Sequence, residues 1–179
     1  MHSRAGSFDR RAEHQQFFVW ARLPRAIVQR KRRRSLTLLI PKSREGSLRV
    51  RDVMSTRPVT VPAHIDIQSF VDDYVLRTPY STFPVVDRYG DAVGLLTLRK
   101  VKQVPRARWP TTRVGDVACP VGEVPIAQPD ELLVSALERM TDACAEGREL
   151  VLSDGNLVGV LSPSDVGRAL ELAEVIRRT

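Results

Sequence analysis

The chain has 179 residues, enough for one or two domains, and 42% of them are hydrophobic, ample for a packed core. Its formal charge of +7 is unevenly placed: residues 1–46 carry 12 Lys/Arg against 3 acids, whereas residues 47–179 carry 16 against 18. The basicity therefore belongs to the first segment, and the charge of the remainder gives no support to binding of a phosphate backbone.

Residues 1–47 are expected to form a basic, flexible N-terminal extension. Phe17-Phe18-Val19-Trp20 precedes the run Arg30-Lys31-Arg32-Arg33-Arg34, and Pro41 to Ser47 has the composition of a linker. Aromatics beside a basic cluster suit an anionic membrane surface, the same cluster suits non-specific contact with nucleic acid, and a solvated tail needs neither. From Leu48 the pattern becomes regular. Arg51 to Met54 reads as a turn of helix and Pro58 to Pro62 as a short strand. Asp66 opens a helix with Ile67, Phe70, Val71, Tyr74 and Val75 on one face. Thr82 to Asp87 is a strand, Arg88 to Asp91 a turn and Ala92 to Leu96 the next strand, with a helix from about Leu98. Pro105 to Thr112 links this unit to a second one. There, Val124-Pro125-Ile126 is a short strand and Pro129-Asp130-Glu131 opens a helix whose apolar face is Leu133, Ala136, Leu137 and Met140. Glu149 to Leu152 and Leu157 to Leu161 are paired strands, and Ser162 caps a last helix with Val166, Ala169, Leu170 and Ala173 inward.

The two units are copies. Val50-Arg51-Asp52-Val53-Met54 returns as Val114-Gly115-Asp116-Val117-Ala118, and Gly90 to Thr97 returns as Gly155 to Ser162. A repeat at fixed spacing marks duplicated units that bury their apolar faces against each other. Each copy has the order β-α-β-β-α, an α+β fold, and sites are expected at the seam in two pseudo-equivalent places.

Several chemistries find no support. Cys119 and Cys144 make no CxxC pair or disulfide framework, and are expected to be small, buried, apolar side chains in a reducing cytosol. His2, His14 and His64 lie far apart, and HExxH is absent. No apolar run approaches the ~20 residues of a membrane span, and Met1-His2-Ser3-Arg4 is not followed by a signal-peptide stretch. No nucleophile–base set or metal cluster suggests an enzyme.

The D-V-M opening, the amphipathic helix, Phe83-Pro84-Val85-Val86-Asp87, the Gly turn and Gly94-Leu95-Leu96-Thr97 resemble a cystathionine-β-synthase-type (CBS) domain. Two in tandem resemble a Bateman module with a pseudo-two-fold arrangement, here residues 48–105 and 114–179 around a linker at 106–113. The wording of Ser81 to Asp87 and Gly159 to Val166 is similar to the CBS pair at the C-terminus of bacterial site-2-type intramembrane zinc proteases, whose protease part is not in this sequence.

The resemblance implies a non-catalytic regulatory module that takes an adenosyl ligand (AMP, ATP or S-adenosylmethionine) in the cleft between the repeats, with no cofactor or metal. The family motif G-h-h-[S/T]-x-x-D falls on Gly159 to Asp165. The helix start offers free N–H groups to an anion. The Ser162 and Ser164 hydroxyls can add contacts, and Asp165 can accept from ribose hydroxyls. Val124 and Ile126 would wall the adenine, and Arg148 would attract phosphate. In the first copy Thr97 is kept, but Lys100 stands at the Asp position and has no acceptor for ribose, so that cleft is expected to be degenerate. Glu149, beside Arg148, is expected at the pocket mouth, where it would repel phosphate. The structural reading of Ser162-x-x-Asp165, with Pro163 between them, is a helix capping box. Asp87 is expected to serve the Gly90 turn. A homodimer, cytoplasmic or peripheral to the membrane, is expected by resemblance. Two other functions stay open: a docking scaffold with both clefts degenerate, and the detached regulatory part of a protease system.

Overall fold

The computed structural model of the chain describes residues 48–140 and 144–177. The expectations for the basic extension, including its membrane and nucleic-acid contacts, lie outside these residues.

In the first repeat, β2 (Val61–Pro62) leads to α2 (Ile67–Phe70), which widens into a π-helical turn at Val71–Val75. The Asp66 carboxylate fixes the helix start by accepting from the Ser69 amide at 2.8 Å and from the Ser69 hydroxyl at 2.9 Å. β3 (Thr82–Val86) and β4 (Ala92–Thr97) follow, then α3 (Leu98–Lys102). The turn between the strands is held by Asp87, whose carboxylate accepts from the amides of Tyr89 and Asp91. Gly90 takes a φ of 91° there. The second repeat has β6 (Ile126–Ala127), α5 (Leu133–Arg139), β7 (Glu149–Ser153), β8 (Asn156–Leu161) and α6 (Pro163–Arg177). The expected β-α-β-β-α order is thus present twice.

Each copy is preceded by a short helix and a two-residue strand: α1 (Val50–Val53) with β1 (Ser55–Thr56), and α4 (Val114–Val117) with β5 (Cys119–Pro120). These lead elements are exchanged. β1 pairs antiparallel with β8, and β5 pairs antiparallel with β4, giving sheets of order β1-β8-β7-β6 and β2-β3-β4-β5. The helices follow their strands. Val114 packs with Val61, Phe70 and Phe83 in the first core, and Val50 packs with Leu133, Val151 and Leu161 in the second. A third cluster joins the sheets: Leu95, Cys119, Val124, Ala145, Leu150 and Val160.

The exchange explains the repeated glycine. A Cβ on Gly94 would sit 2.5 Å from the Cys119 carbonyl oxygen, and one on Gly159 would sit 2.9 Å from that of Ser55. Only glycine lets the incoming strand lie so close. The exchange also moves a helix start. The expected opening at Pro129–Glu131 is not helical, because Pro129 and Glu131 carbonyls accept from the amides of Arg51 and Val50, and the Leu133 amide donates to Leu48. These backbone groups serve the incoming chain, so α5 begins at Leu133.

A further expectation is corrected. Cys119 is fully buried, as foreseen, but it is joined to Cys144 by a disulfide with Cα atoms 5.5 Å apart. Strand exchange carries β5 to the loop before β7, and no spacing in the sequence announces that meeting.

Candidate functional site: the polar seam between the repeats

At the β8–α6 junction the strand ends on Leu161 and the helix begins at Pro163, so the turn between them projects Ser162 and Asp165. Asp165 is 5% exposed. Its Oδ2 accepts from the Ser162 amide at 2.9 Å and from the Ser162 hydroxyl, while the Asp165 amide donates back to Ser162 Oγ at 3.3 Å. This is the reciprocal pattern of a capping box. Oδ1 faces outward and accepts from the Ser55 hydroxyl at 2.9 Å and from Arg168 at 3.2 Å. Ser55 belongs to the exchanged strand β1, so this hydrogen bond ties the lead strand to the β8–α6 turn. Ser164 is exposed, and its hydroxyl lies 2.8 Å from that of Ser162.

The pseudo-equivalent turn at β4–α3 is differently filled. Thr97 is 1% exposed. Its hydroxyl caps α3 by accepting from the Lys100 amide at 3.4 Å, and donates to Glu146 Oε1 at 2.7 Å. The same carboxylate oxygen pairs with Arg99 at 2.9 Å. Glu146 comes from the other repeat, in the loop before β7, and holds a left-handed φ of 55°. That backbone conformation is uncommon for a side chain other than Gly, Asn or Asp. Lys100 directs its ammonium to Cys144 Sγ at 3.3 Å.

Arg148 lies between the two turns. It is 5% exposed, and it donates to the Glu146 carbonyl at 3.0 Å and to its carboxylate at 3.4 Å. Among the described residues, its Nε has no hydrogen-bond partner. Burial lowers its pKa from the ordinary guanidinium value; Glu146 and Asp165 work against that shift, and Arg99 reinforces it. The seam therefore holds the carboxylates of Glu146 and Asp165, the buried guanidinium of Arg148 and the more exposed guanidinium groups of Arg99 and Arg168.

The remaining expected residues lie elsewhere. Glu149 is not at a pocket mouth. It is fully buried beside Arg139 at 3.2 Å, and among the described residues Oε1 has no hydrogen-bond partner. Arg148 immediately precedes β7 and bonds Glu146 at the seam, whereas Glu149, the first residue of β7, turns to Arg139. Burial pushes its carboxyl up to about 7, against the pull of Arg139. Val124 is 4% exposed and packed in the joining cluster, whereas Ile126, on the outer strand β6, is 42% exposed. Glu146, Arg99 and Ser55 were not foreseen. The pairing of Thr97 with Glu146 follows from the exchange of elements, which no local pattern encodes.

Comparison with known proteins follows from this geometry. The family model for the CBS domain matches residues 50–106 and 114–172. Rip3 of Mycobacterium tuberculosis, a zinc metalloprotease by its name, is 40% identical over 127 residues, covering 71% of this chain and 32% of Rip3. The chain thus spans about a third of that relative's length. Among solved structures, the fold is shared with the CBS domain pair of protein MJ0100 in complex with 5-methylthioadenosine and S-adenosyl-L-methionine. The TM-score is 0.59 at 20% identity, covering 70% of this chain and 98% of that one. It is shared as well with the CBS domain of a bacterial CNNM/CorC-family Mg2+ transporter in complex with ATP, with a TM-score of 0.58 at 16% identity, covering 69% and 87%. Among the described residues, no helix is long and apolar enough to cross a membrane.

Proposed function

The chain belongs to the CBS-domain family and carries two copies of the domain, and from this premise we propose that it is a non-catalytic regulatory module whose seam takes an adenosyl ligand of the AMP, ATP or S-adenosylmethionine class. The observation that carries the reading is Arg148. A guanidinium that is 5% exposed, with Nε unpartnered among the described residues, lies between Asp165 and Arg99. A buried donor without a partner gains a hydrogen bond when an acceptor such as a phosphate or carboxylate arrives. Asp165 is suited to the sugar. Its Oδ2 is committed to the cap, but Oδ1 bonds only Ser55 and Arg168, which lie at the surface. Ribose hydroxyls can take over those bonds without unwinding α6. The similar folds that hold S-adenosylmethionine and ATP support the ligand class.

The test is a melting series with AMP, ATP and S-adenosylmethionine at millimolar concentration. At least one should raise the melting temperature, since a ligand bound only to the folded state stabilises it. Asp165→Asn, which keeps an acceptor for the cap, should remove most of the shift. No shift with any of the three contradicts the proposal.

A second reading has a specific observation in its favour. All four acceptor directions of Asp165 are used, and Glu146 occupies Thr97 and Arg99. Both turns would then be scaffold, and the module would serve docking or dimerisation. A homodimer through the helical faces accords with Leu172 on α6, which is 60% exposed. Sedimentation of the apo protein as a dimer, with no nucleotide response, would favour this second reading. The similarity to Rip3 suggests a zinc protease as the regulated partner.

A further inference from the structure

The Cys119–Cys144 bond lies where the two repeats and the polar seam meet. Cys119 is on the exchanged strand β5 and is fully buried; Cys144 opens the loop before β7 and is half-buried. Two residues beyond Cys144, Glu146 covers Thr97 at 2.7 Å and Arg99 at 2.9 Å. The bond therefore fastens to the first repeat's sheet the very loop whose carboxylate covers the first repeat's polar turn. The left-handed backbone at Glu146 is disfavoured for this residue type and persists only where its surroundings hold it. The disulfide, the buried Ala145, the Thr97 and Arg99 contacts and the Arg148 hydrogen bonds to the Glu146 carbonyl and carboxylate are the holding groups.

The chemistry around the bond favours exchange at one sulfur. Only Cys144 offers a partly open path, and the Lys100 ammonium lies 3.3 Å from its Sγ. A cation there attracts an incoming thiolate and stabilises a departing one. Glu123, whose carboxylate lies within 4.8 Å of both sulfurs, works in the opposite sense but is exposed to water, which screens it.

We propose that Cys119–Cys144 is a redox-reversible tie, opened by a dithiol reductant through Cys144, and that its opening uncovers Thr97 and Arg99. One thiolate of the reductant attacks Cys144 Sγ. The protein S–S bond breaks, a mixed disulfide forms on Cys144, and Cys119 leaves as a thiolate and takes a proton. The second thiolate of the reductant attacks its own sulfur in the mixed disulfide, which closes the reductant's disulfide and releases Cys144. Two electrons pass from the dithiol to the protein cystine. The reverse sequence with a disulfide oxidant restores the tie. With Cys144 released, the Glu146 loop loses its fastening to β5, and the carboxylate leaves Thr97 and Arg99. The tie stands independently of any nucleotide. Only a change in nucleotide affinity on reduction would rest on the adenosyl reading of the seam.

The full chain, purified without reductant, is treated natively with dithiothreitol, then alkylated and mapped by mass spectrometry. Amide hydrogen exchange is followed over residues 145–149 in both states. Neither cysteine should be labelled before reduction and both after it. Exchange over 145–149 should rise at least tenfold on reduction and fall again on reoxidation. In the reduced protein, Lys100→Gln should slow alkylation of Cys144 severalfold. Cys144→Ser should show the fast exchange with no reductant present; should that variant fail to fold, native reduction of the unmodified chain carries the same readout. Free cysteines in the air-equilibrated protein would overturn the proposal, as would a bond that resists dithiothreitol until the protein unfolds. Reduction with no change in exchange over 145–149 would equally overturn it. None of these readings involves a nucleotide, so they leave the ligand proposal to its own test.

Discussion

Glu149 and Glu131 share one arginine and are driven apart by it. Arg139 pairs with both carboxylates. Glu131 is held below the usual value of 4.5, chiefly by its hydrogen bond from Arg139, whereas burial pushes Glu149 up to about 7. The signs follow by linkage. Glu131 contributes stability above pH 4.5 that is lost as pH falls through its lower folded value. Glu149 binds a proton more tightly folded than unfolded, so stability falls as pH rises from about 4.5 to 7 and is flat beyond. Glu149→Gln should therefore stabilise the protein at pH 8, by about 3 kcal/mol at about 1.4 kcal/mol per pKa unit for a carboxyl raised from 4.5 to about 7, and by much less near pH 5. Urea denaturation at the two pH values checks this; an equal effect at both would show that Glu149 does not titrate in this window. A second prediction concerns the crossing points of the exchanged strands. Gly94→Ala places a Cβ 2.5 Å from a backbone oxygen, whereas Gly122→Ala meets nothing within 4 Å. The first should cost about 1–3 kcal/mol and the second close to nothing in the same denaturation series.

The elements set by local chemistry were legible in the sequence. The Asp66 cap, the Asp87 and Gly90 turn, the paired strands of each copy and the Ser162 cap all depend on residues within a few positions of one another. The exchanged strands β1 and β5 were not legible. They are two residues long, and they exist only because the other repeat offers an edge. From that one omission the other differences follow: the late start of α5, the disulfide, and Glu146 on Thr97. Glu149 escaped for another reason: it opens β7 and pairs with Arg139 on the preceding helix, while Arg148, just before the strand, pairs with Glu146. The exchange and the disulfide together determine how tightly loop and strand are held. The bond closes a loop of sequence separation 25, for which chain entropy gives about 3 kcal/mol. Reduction should lower the unfolding free energy by that order, measured as a lower denaturation midpoint, with a slope that rises as the released unfolded chain exposes more surface. An unaltered midpoint would mean that packing of the third cluster alone fixes the loop.

For the whole molecule, reciprocal exchange makes the two repeats one body. Each core contains the other copy's lead helix, and the polar residues of both β-α turns meet in one seam. The copies agree where they build this frame and differ where ligand chemistry would take place: Asp165 stands in one, Lys100 in the other. Asp165 keeps an outward oxygen whose partners can be replaced, while Thr97 is covered by Glu146. A ligand that binds here can regulate only by preferring one arrangement of seam and loop over another. The central claim is that this seam takes an adenosyl ligand at Ser162 and Asp165, and isothermal titration calorimetry tests it most directly. Titration with AMP, ATP and S-adenosylmethionine should give saturable binding of at least one of them at a single site per chain, weakened tenfold or more by Asp165→Asn. Absence of heat for all three at millimolar concentration, or binding indifferent to Asp165, would contradict it.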